Sequence, residues 1–287
     1  MLANIIDGKK ISADIKDEVK NETAKLKENG IEPCLAVILV GNDAASQVYV
    51  RNKKKACEYT GIKSLSYELD EDIKEDELIK LIDELNNRDD VNGILVQLPL
   101  PKHIDEQKIL LKIKPSKDVD GFHPYNTGLL SIGKAVLKPC TPAGIIELIN
   151  RSNIEISGKN AVVIGRSNIV GKPVSMLLLS ENATVTVCHS KTKDINKTIK
   201  NADIVVAAVG IPYFVKEDMV KDGAVVIDVG INRLENGHLA GDVDFENVSK
   251  KASYITPVPG GVGPMTIAML MKNCLLAAKA QNGGGDI

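Results

Sequence analysis

The chain has 287 residues with a formal net charge of −2, and 44% of its residues are hydrophobic and 26% charged. This length suits about two domains of roughly 150 residues each, and the near-zero charge gives no electrostatic reason to expect nucleic acid or an anionic membrane as a partner. The N-terminal segment carries charges from Asp7 onward and has no long apolar core, so it predicts neither a signal peptide nor a membrane-spanning helix.

Five cysteines are scattered along the chain, and no two of them have the spacing of a metal site or a redox motif. Most lie in apolar or helical patterns, where a reduced thiol packs as a small hydrophobic group. We therefore expect a cytoplasmic protein without a metal. The chain has no Trp and three Phe, which argues against an aromatic platform for single-stranded nucleic acid.

Helix and strand patterns alternate in the first half of the chain. Apolar residues at helical spacing run from Gly8 to Asn29, and the continuous apolar run Cys34–Val40 predicts a buried strand. The next predicted elements are a helix capped by Asn42 or Asp43 and ended by Gly61, a strand in IKSLSYEL, a helix in KEDELIKLIDELN, a strand in GILVQLPLP and a helix in DEQKILLKI. This alternation predicts a parallel sheet with helices packed on it.

The pattern breaks between Lys114 and Lys138, where Gly and Pro interrupt any clean period. Long irregular segments in compact proteins are usually functional loops or linkers. We therefore expect little regular structure in this segment.

The second half alternates again and predicts a Rossmann-like, doubly wound α/β domain. Its β-branched strands are KNAVVIG, ATVTVCHS, ADIVVAAVG, AVVIDVGIN and SYITPVPG. The C-terminal helix PMTIAMLMKNCLLAAKA is apolar on nearly every face, so we expect it to return to the first domain and to be buried there. The predicted domains are residues 1–140 with 265–287, and residues 141–264.

A glycine turn follows the first strand of the second domain, where such folds bind a nucleotide phosphate. Gly165 is followed by Arg166, and the next glycine is Gly171, so the spacing departs from the usual G-x-G-x-x-G. A helix begins at about Lys172, and its N-terminus would favour an anion. The same glycines could instead serve only to pack a tight strand–helix corner.

The end of the next strand favours NADP over NAD. NAD-binding domains place an Asp or Glu about 20 residues past the glycine turn, on the ribose hydroxyl. Here the segment HSKT, with Ser190, has no acid before Asp194. Ser190 and the Arg166 fork could both donate hydrogen bonds to a 2′-phosphate, although HSKT alone would also suit a solvated turn.

A Tyr, a Lys, a Gln and an Asp of the first domain are candidates for catalysis, and each also has an ordinary structural explanation. Tyr49 and Lys53 share one face of the predicted helix, although the run RNKKK is also typical of a solvated face. Gln97 ends a strand at the carboxyl edge where open α/β sheets place ligands, or it caps that strand. Asp118 and Asp120 in KDVDG suit a turn. Brought together beside an NADP site, such groups would form an active site.

Nine motifs in order span nearly all of the chain and carry a resemblance to a known family. They are SQVYVRNKKKACEYTGI, GILVQLPLP, PSKDVDGFHPYNTG, PCTPAG, GRSNIVGKPVSMLL, ATVTVCHSKT, VIDVGIN, GDV and TPVPGGVGPMTIAML. Together they closely resemble the bifunctional methylenetetrahydrofolate dehydrogenase/methenyltetrahydrofolate cyclohydrolase family. The resemblance implies oxidation of 5,10-methylenetetrahydrofolate to 5,10-methenyltetrahydrofolate with NADP, followed by hydrolysis to 10-formyltetrahydrofolate.

The resemblance also implies roles for individual residues. Lys53 would perform or assist the proton transfer of hydrolysis, with Gln97 tuning its amine. Asp120, the second aspartate of the D-V-D-G motif, would hold N–H groups of the pterin, and Tyr49 would stack along the ring system.

Further residues are assigned to the substrate and the cofactor on the same basis. The loop Pro259–Gly263 would close over the folate and the nicotinamide, with Pro259, Gly260 and Gly263 as substrate-binding residues. The assigned cofactor-binding residues are Gly165, Arg166, Ser167, Val170, Gly171, Ser190 and Ile231. The family further implies a cytoplasmic homodimer that serves one-carbon metabolism and purine biosynthesis, with no nucleic acid, membrane or metal involved.

Three alternatives remain at this stage. A dehydrogenase without the hydrolase would leave Lys53 and Gln97 without a role. An enzyme similar to amino-acid dehydrogenases would leave the D-V-D-G and P-G-G-V-G segments without one. A nucleotide sensor would bind the cofactor without turnover.

Overall fold

Two α/β units make up the described part of the chain, which is residues 2–283 of the computed structural model. One unit comprises residues 13–140 and 267–283, and we refer to it as the Lys53 unit. The other comprises residues 2–12 and 141–266, and we refer to it as the Gly165 unit.

The α-helices follow the predicted amphipathic segments closely, and several short ones were not predicted. Asp43 caps the second helix, where its carboxylate accepts a hydrogen bond from the Ser46 N–H at 2.7 Å, and Gly61 ends that helix with a φ of 75°. The helices are α1 Gly8–Glu28, α2 Ala44–Thr60, α3 Glu75–Asn86, α4 Glu106–Lys112, α5 Pro124–Ser131, α6 Cys140–Arg151, α7 Gly171–Ser180, α8 Ile195–Ile199, α9 Phe245–Val248 and α10 Val262–Gln281.

The strands are short and mostly buried. They are β1 Asn4–Ile5, β2 Cys34–Val40, β3 Lys63–Leu69, β4 Gly93–Val96, β5 Asn160–Ile164, β6 Thr184–Cys188, β7 Ile204–Ala207, β8 Val225–Asp228, β9 Asn232–Arg233, β10 Leu239–Ala240 and β11 Tyr254–Ile255.

In the Lys53 unit, β2 lies between β3 and β4 in a parallel sheet. Every residue of β2 and β4 is buried, as expected for parallel strands that are covered on both faces. The register pairs Leu35 with both Ser64 and Gly93. The carboxyl ends of the strands therefore meet at one edge, and side chains that follow β2 and β4 come together there.

In the Gly165 unit, the described residues form a parallel sheet in the order β1-β11-β8-β7-β5-β6, and β9 and β10 form a separate antiparallel pair. The chain passes from β5 to β6 on one side and then returns to β7 on the other side of β5. This reversal is the switch point of a doubly wound sheet, beside which such folds bind ligands. The predicted two-domain α/β architecture with a doubly wound sheet is thus confirmed.

The first residues of the chain group differently from the predicted domains. The sequence placed residues 1–140 with 265–287, whereas residues 2–12 group with 141–266 because β1 pairs in parallel with β11. A strand of two residues shows no periodic pattern, so no feature of the sequence predicted this pairing. Residues 1 and 284–287 of the predicted domain lie outside the described residues.

The segment between Lys114 and Lys138 is more regular than expected. It contains a 3₁₀ turn at Pro115–Lys117 and helix α5, whose first turn is supported by Pro124 and by the His123 ring, which accepts from the Tyr125 N–H at 3.1 Å. The expectation of little regular structure was wrong here, because α5 buries only Asn126 and Leu130 and so shows no apolar stripe. Within residues 2–283, no helix is both long and apolar enough to cross a membrane.

Candidate active site

The side chains of Lys53 and Gln97 are in direct contact at the carboxyl edge of the β2–β4 sheet. The Lys53 ammonium on α2 donates to Gln97 Oε1 at 2.9 Å. Gln97 directly follows β4, where its backbone N–H donates to the Ile38 carbonyl at 2.9 Å, and its Nε2 donates to the Leu98 carbonyl at 2.7 Å. The amide is therefore fixed by its neighbours and presents its oxygen to the lysine.

The D-V-D-G turn places the Asp120 carboxylate within electrostatic reach of Lys53. A parallel bridge joins Asp118 to Ile94 of β4 and holds the turn against the sheet. Burial raises the pKa of Asp120 to about 6, while the Lys53 charge acts in the opposite direction. Asp120 as a whole residue is intermediate in exposure, and its carboxyl, in electrostatic reach of Lys53, is the candidate group for holding a ligand.

The neighbouring carboxylate, Asp118, is buried and serves the turn itself. Its Oδ2 accepts from the His123 N–H at 2.8 Å and from the Asn126 amide at 2.9 Å. Both donors meet the same oxygen, so this side chain orders the segment that follows rather than facing outward.

Tyr49 lies one helical turn before Lys53, and 47% of its surface is exposed. Arg51, Lys54 and Lys55 on the same helix are also exposed, whereas Lys53 is half-buried against Gln97. Arg51, Lys54 and Lys55 therefore form a solvated face, whereas Lys53 belongs with Gln97 at the edge of the sheet.

The loop after β5 is a tight glycine turn at the start of α7. Gly165 has a φ of 119°, and a Cβ on it would collide with the Ala208 carbonyl oxygen. A Cβ on Gly171 would collide with the backbone of Gly165. Ser167 Oγ accepts from the backbone N–H groups of Val170 and Gly171 at 3.2 and 3.3 Å. The turn thus brings backbone and the positive end of a helix to the sheet's switch point, which suits a phosphate.

Arg166 and Ser190 follow neighbouring strands and are both exposed. β5 and β6 are paired in parallel with Ile164 opposite Cys188, and the Gly165 N–H donates to the Cys188 carbonyl at 2.9 Å. Each of the two polar residues lies two positions beyond these paired strand ends, so the structure brings the two loops side by side.

Ile231 and the segment Pro259–Gly263 line one cavity of about 50 Å³ in the Gly165 unit. A Cβ on Gly263 would lie 3.4 Å from Ile231 Cδ1, and Gly260 has a φ of 108°. Ile231 is 50% exposed. The predicted residues of this segment are therefore close together, with Pro259 exposed, Gly263 partly exposed and Gly260 buried.

Models of two protein domains match the chain. The catalytic domain of tetrahydrofolate dehydrogenase/cyclohydrolase matches residues 6–120, and the NAD(P)-binding domain of the same enzymes matches residues 139–282. The chain belongs to the tetrahydrofolate dehydrogenase/cyclohydrolase family. It is a bifunctional enzyme, with the two activities that the nine motifs implied.

Individual members of the tetrahydrofolate dehydrogenase/cyclohydrolase family are similar over nearly their whole length. The bifunctional protein FolD of Agathobacter rectalis is 66% identical over 97% of this chain and 100% of its own. The crystal structure of the FolD dehydrogenase/cyclohydrolase from Campylobacter jejuni is 56% identical, has a TM-score of 0.95 and covers 96% of this chain and 99% of its own. The Trypanosoma brucei enzyme, solved with NADP and an inhibitor, is 42% identical with a TM-score of 0.93 and 99% coverage of both chains.

Three polar residues that support these sites had no assigned role in the sequence analysis. Asn273 of α10 is buried and donates to the carbonyls of Val119 and Lys138, each at 2.8 Å, so it ties the D-V-D-G turn to the next segment. Asp228 and Asp242 are buried in the Gly165 unit. A lone amide in an otherwise apolar helix was the available signal for Asn273, because a buried polar group needs partners.

Within the described residues, no group of three or more His, Cys, Asp or Glu side chains could hold a metal ion. The five cysteines are all buried and free of disulfide bonds.

Proposed function

We propose that this chain oxidises 5,10-methylenetetrahydrofolate to the methenyl compound with NADP and then hydrolyses it to 10-formyltetrahydrofolate, using Lys53 for the hydrolytic step. The observation that carries this proposal is the 2.9 Å contact between Lys53 and Gln97 with Asp120 in electrostatic reach. An amine, an oriented amide and a carboxyl are the groups that folate binding and proton transfer require.

The oxidation needs placement more than acid–base chemistry. The lone pairs of the two folate nitrogens stabilise the methenyl cation as it forms, and NADP, when bound, accepts the hydride. Asp120 holds the pterin because a carboxylate can accept two N–H donors, and Tyr49 presents an exposed ring along which the folate stacks. Pro259, Gly260 and Gly263 complete the folate-binding set. The main contribution of these residues is proximity and orientation.

The hydrolysis needs a proton acceptor. Water adds to the methenyl carbon and gives up one proton. The bond from that carbon to N5 then breaks as the remaining hydroxyl proton is transferred to N5, which leaves the formyl group on N10. The side-chain nitrogen of Lys53 takes the proton from the attacking water, while Gln97 Oε1 keeps that nitrogen oriented. General acid–base assistance of this kind commonly contributes about 10²–10⁴-fold to rate.

The cofactor is NADP, held by the Gly165 unit. Gly165 and Gly171 allow the tight strand–helix corner, because a Cβ on either would collide with backbone, and this corner presents the N-terminus of α7 to a pyrophosphate. Ser167, Val170 and Ile231 complete the proposed cofactor-binding set. Arg166 and Ser190 are exposed on adjacent loops, and they read the 2′-phosphate that distinguishes NADP from NAD. The Trypanosoma brucei relative, solved with NADP, supports this choice.

The cellular setting follows from the same function. We assign the enzyme to the cytoplasm as a homodimer that supplies one-carbon units to purine biosynthesis, and the five buried, reduced cysteines support a reducing compartment. Sedimentation of the purified chain tests the dimer, which requires twice the mass of one chain.

The testing experiment is a spectrophotometric assay of the full chain with methylenetetrahydrofolate and each of NADP and NAD. The proposal requires reduction of NADP in preference to NAD, followed by hydrolysis of added methenyltetrahydrofolate without any nucleotide. Cofactor binding without turnover would contradict it.

A further inference from the structure

Asp242 in the Gly165 unit is 0% exposed, and its carboxylate accepts four N–H donors. Oδ2 accepts from the backbone N–H groups of Val209 and Gly210 at 2.7 and 2.9 Å. Oδ1 accepts from the Ile211 N–H at 3.0 Å and from the Asn232 side-chain amide at 2.9 Å. One buried side chain therefore gathers two separate segments of the chain.

Both segments lie at the carboxyl edge of the sheet. Residues 209–211 come directly after β7, and Asn232 comes shortly after β8. The loop after β7 also abuts the glycine turn, since a Cβ on Gly165 would collide with the Ala208 carbonyl oxygen. Ligands of doubly wound sheets bind at this edge beside the switch point. Asp242 therefore holds backbone that borders the glycine turn after β5.

Each of these two segments carries an exposed isoleucine. Ile211 and Ile231 are both 50% exposed, although their neighbours in the chain are held by the buried carboxylate. Exposed apolar side chains on rigid backbone suit the flat, partly apolar nicotinamide ring, because a preorganised contact loses little entropy on binding.

A second buried carboxylate fixes Asp242 in turn. The backbone N–H of Asp242 donates to Asp228 Oδ1 at 2.8 Å, and the Val243 N–H donates to Asp228 Oδ2 at 3.0 Å. A Cβ on Gly230 would collide with the Asp242 carboxylate, and one on Gly241 would collide with the Asp228 carboxylate. The glycines of the VIDVGIN and GDV motifs are therefore required by the close approach of these two acids.

We propose that Asp242 is a positioning residue for the nicotinamide cofactor, acting by fixing the 209–211 loop and the Ile231–Asn232 turn. Asp242 is buried beneath these segments and acts on the cofactor only through them. The inference rests on the proposed NADP-dependent function and adds to it a residue outside the assigned cofactor-binding set.

The replacement Asp242→Asn tests this role because the amide has nearly the same size but cannot accept all four donors. We expect the Kd of NADP, measured by titration calorimetry on the full chain, to rise by about 10- to 100-fold, since hydrogen bonds to a charged group are lost. The dehydrogenase KM for NADP should rise in parallel, with the KM for folate unchanged. Hydrolysis of methenyltetrahydrofolate without nucleotide should match the parent, because Lys53 and its partners belong to the other unit.

The matched control is Asp244→Asn, two positions along the chain. Asp244 accepts from the Asn247 amide at 3.1 Å, and its replacement should leave NADP affinity unchanged. A merely structural role for Asp242 predicts a lower melting temperature with a normal KM for NADP in the folded fraction, and that result would overturn the proposal.

A second variant decides the matter if Asp242→Asn fails to fold. Asn232→Ala removes one donor from a partly exposed position and leaves the three backbone donors on Asp242. We expect about three- to tenfold weaker NADP binding, and a folded Asn232→Ala enzyme with parental affinity would overturn the inference. A parent enzyme that does not reduce NADP with methylenetetrahydrofolate contradicts the proposed function itself, whereas an active parent beside a variant of unchanged NADP affinity contradicts the inference alone.

Discussion

The Lys53 unit and the Gly165 unit use their polar groups in opposite ways. Around Lys53, an amine contacts an amide oxygen, and the Asp120 carboxyl lies within electrostatic reach of that amine. In the Gly165 unit, the buried carboxylates of Asp228 and Asp242 are occupied by backbone N–H groups. We propose that side-chain atoms carry the chemistry in the first region, whereas buried acids shape the backbone in the second.

This difference predicts two kinds of mutational effect. Replacing a group near Lys53 should change a rate or folate binding, because the atom lost is one that meets the substrate. Replacing a group that binds or positions the cofactor in the Gly165 unit, such as Arg166 or Asp242, should change the affinity for NADP. A replacement in one region that produced the effect expected of the other region would contradict this division of roles.

The largest effect is expected for Lys53→Met, which keeps much of the aliphatic stem and removes the amine. Steady-state hydrolysis of methenyltetrahydrofolate should fall by about 10²–10⁴-fold, the usual contribution of a general acid or base. Lys54→Met is the matched control, because Lys54 is exposed on the same helix, and it should hydrolyse at the parental rate. Near-parental hydrolysis by Lys53→Met would show that Lys53 takes no part in hydrolysis and belongs to the solvated face of the helix.

Arg166→Ala should weaken NADP far more than NAD. A charge-assisted hydrogen bond contributes about 1.5–3 kcal/mol, so the ratio of kcat/KM for NADP over NAD should drop by about 10- to 150-fold. Lys200→Ala, another exposed cation of the same unit, should leave that ratio unchanged. Equal losses for both cofactors would show that Arg166 does not read the 2′-phosphate.

Asp120→Asn should raise the KM for folate in both reactions by about tenfold, since the amide cannot accept two N–H donors from the pterin. Asp118→Asn is the control and should be tolerated better, because both donors to Asp118 meet a single oxygen that an amide can supply. Kinetics of both variants with saturating NADP check this. An Asp120→Asn enzyme with normal folate affinity would show that a group other than Asp120 holds the pterin.

A smaller, pH-dependent effect follows from burial, which raises the pKa of Asp120 to about 6. Above that pH the carboxylate can accept the pterin N–H groups, so the folate KM should increase as the pH falls from 7 to 5. Because the raised pKa favours the protonated form, the contribution of Asp120 to stability is greatest below its unfolded pKa, near 4, and is lost as the pH rises through about 6. Asp120→Asn should remove this component from both the KM and the unfolding profiles, and an unchanged profile would contradict the assignment.

Local patterns made much of the Lys53 region predictable. The helical period puts Tyr49 and Lys53 one turn apart, and the end of an apolar strand puts Gln97 at the sheet edge, as the structure has it. Local periodicity alone does not decide which lysine of RNKKK turns inward, because that depends on the contact with Gln97 across the fold; the choice of Lys53 came from the family resemblance.

Such local patterns did not predict the contacts of Asp242 with the loop that borders the glycine turn. Asp242 accepts from backbone groups 31 to 33 positions earlier in the chain, and no local feature separates a buried acid of this kind from an Asp in an exposed turn. The pairing of β1 with β11 joins residues about 250 positions apart and was missed for the same reason. Long-range contacts of short segments leave no periodic trace in a sequence.

On the proposed mechanism, oxidation in this enzyme needs the placement of folate and NADP, whereas hydrolysis also needs the amine of Lys53. A single progress curve separates these two requirements. Methylenetetrahydrofolate and NADP are mixed with the parent or with Lys53→Met, and NADPH and methenyltetrahydrofolate are followed together by absorbance. We expect the Lys53→Met variant to reduce NADP and to accumulate methenyltetrahydrofolate, whereas the parent converts this compound to 10-formyltetrahydrofolate. Loss of NADP reduction together with hydrolysis, or a variant that accumulates no more methenyl compound than the parent, would contradict the claim.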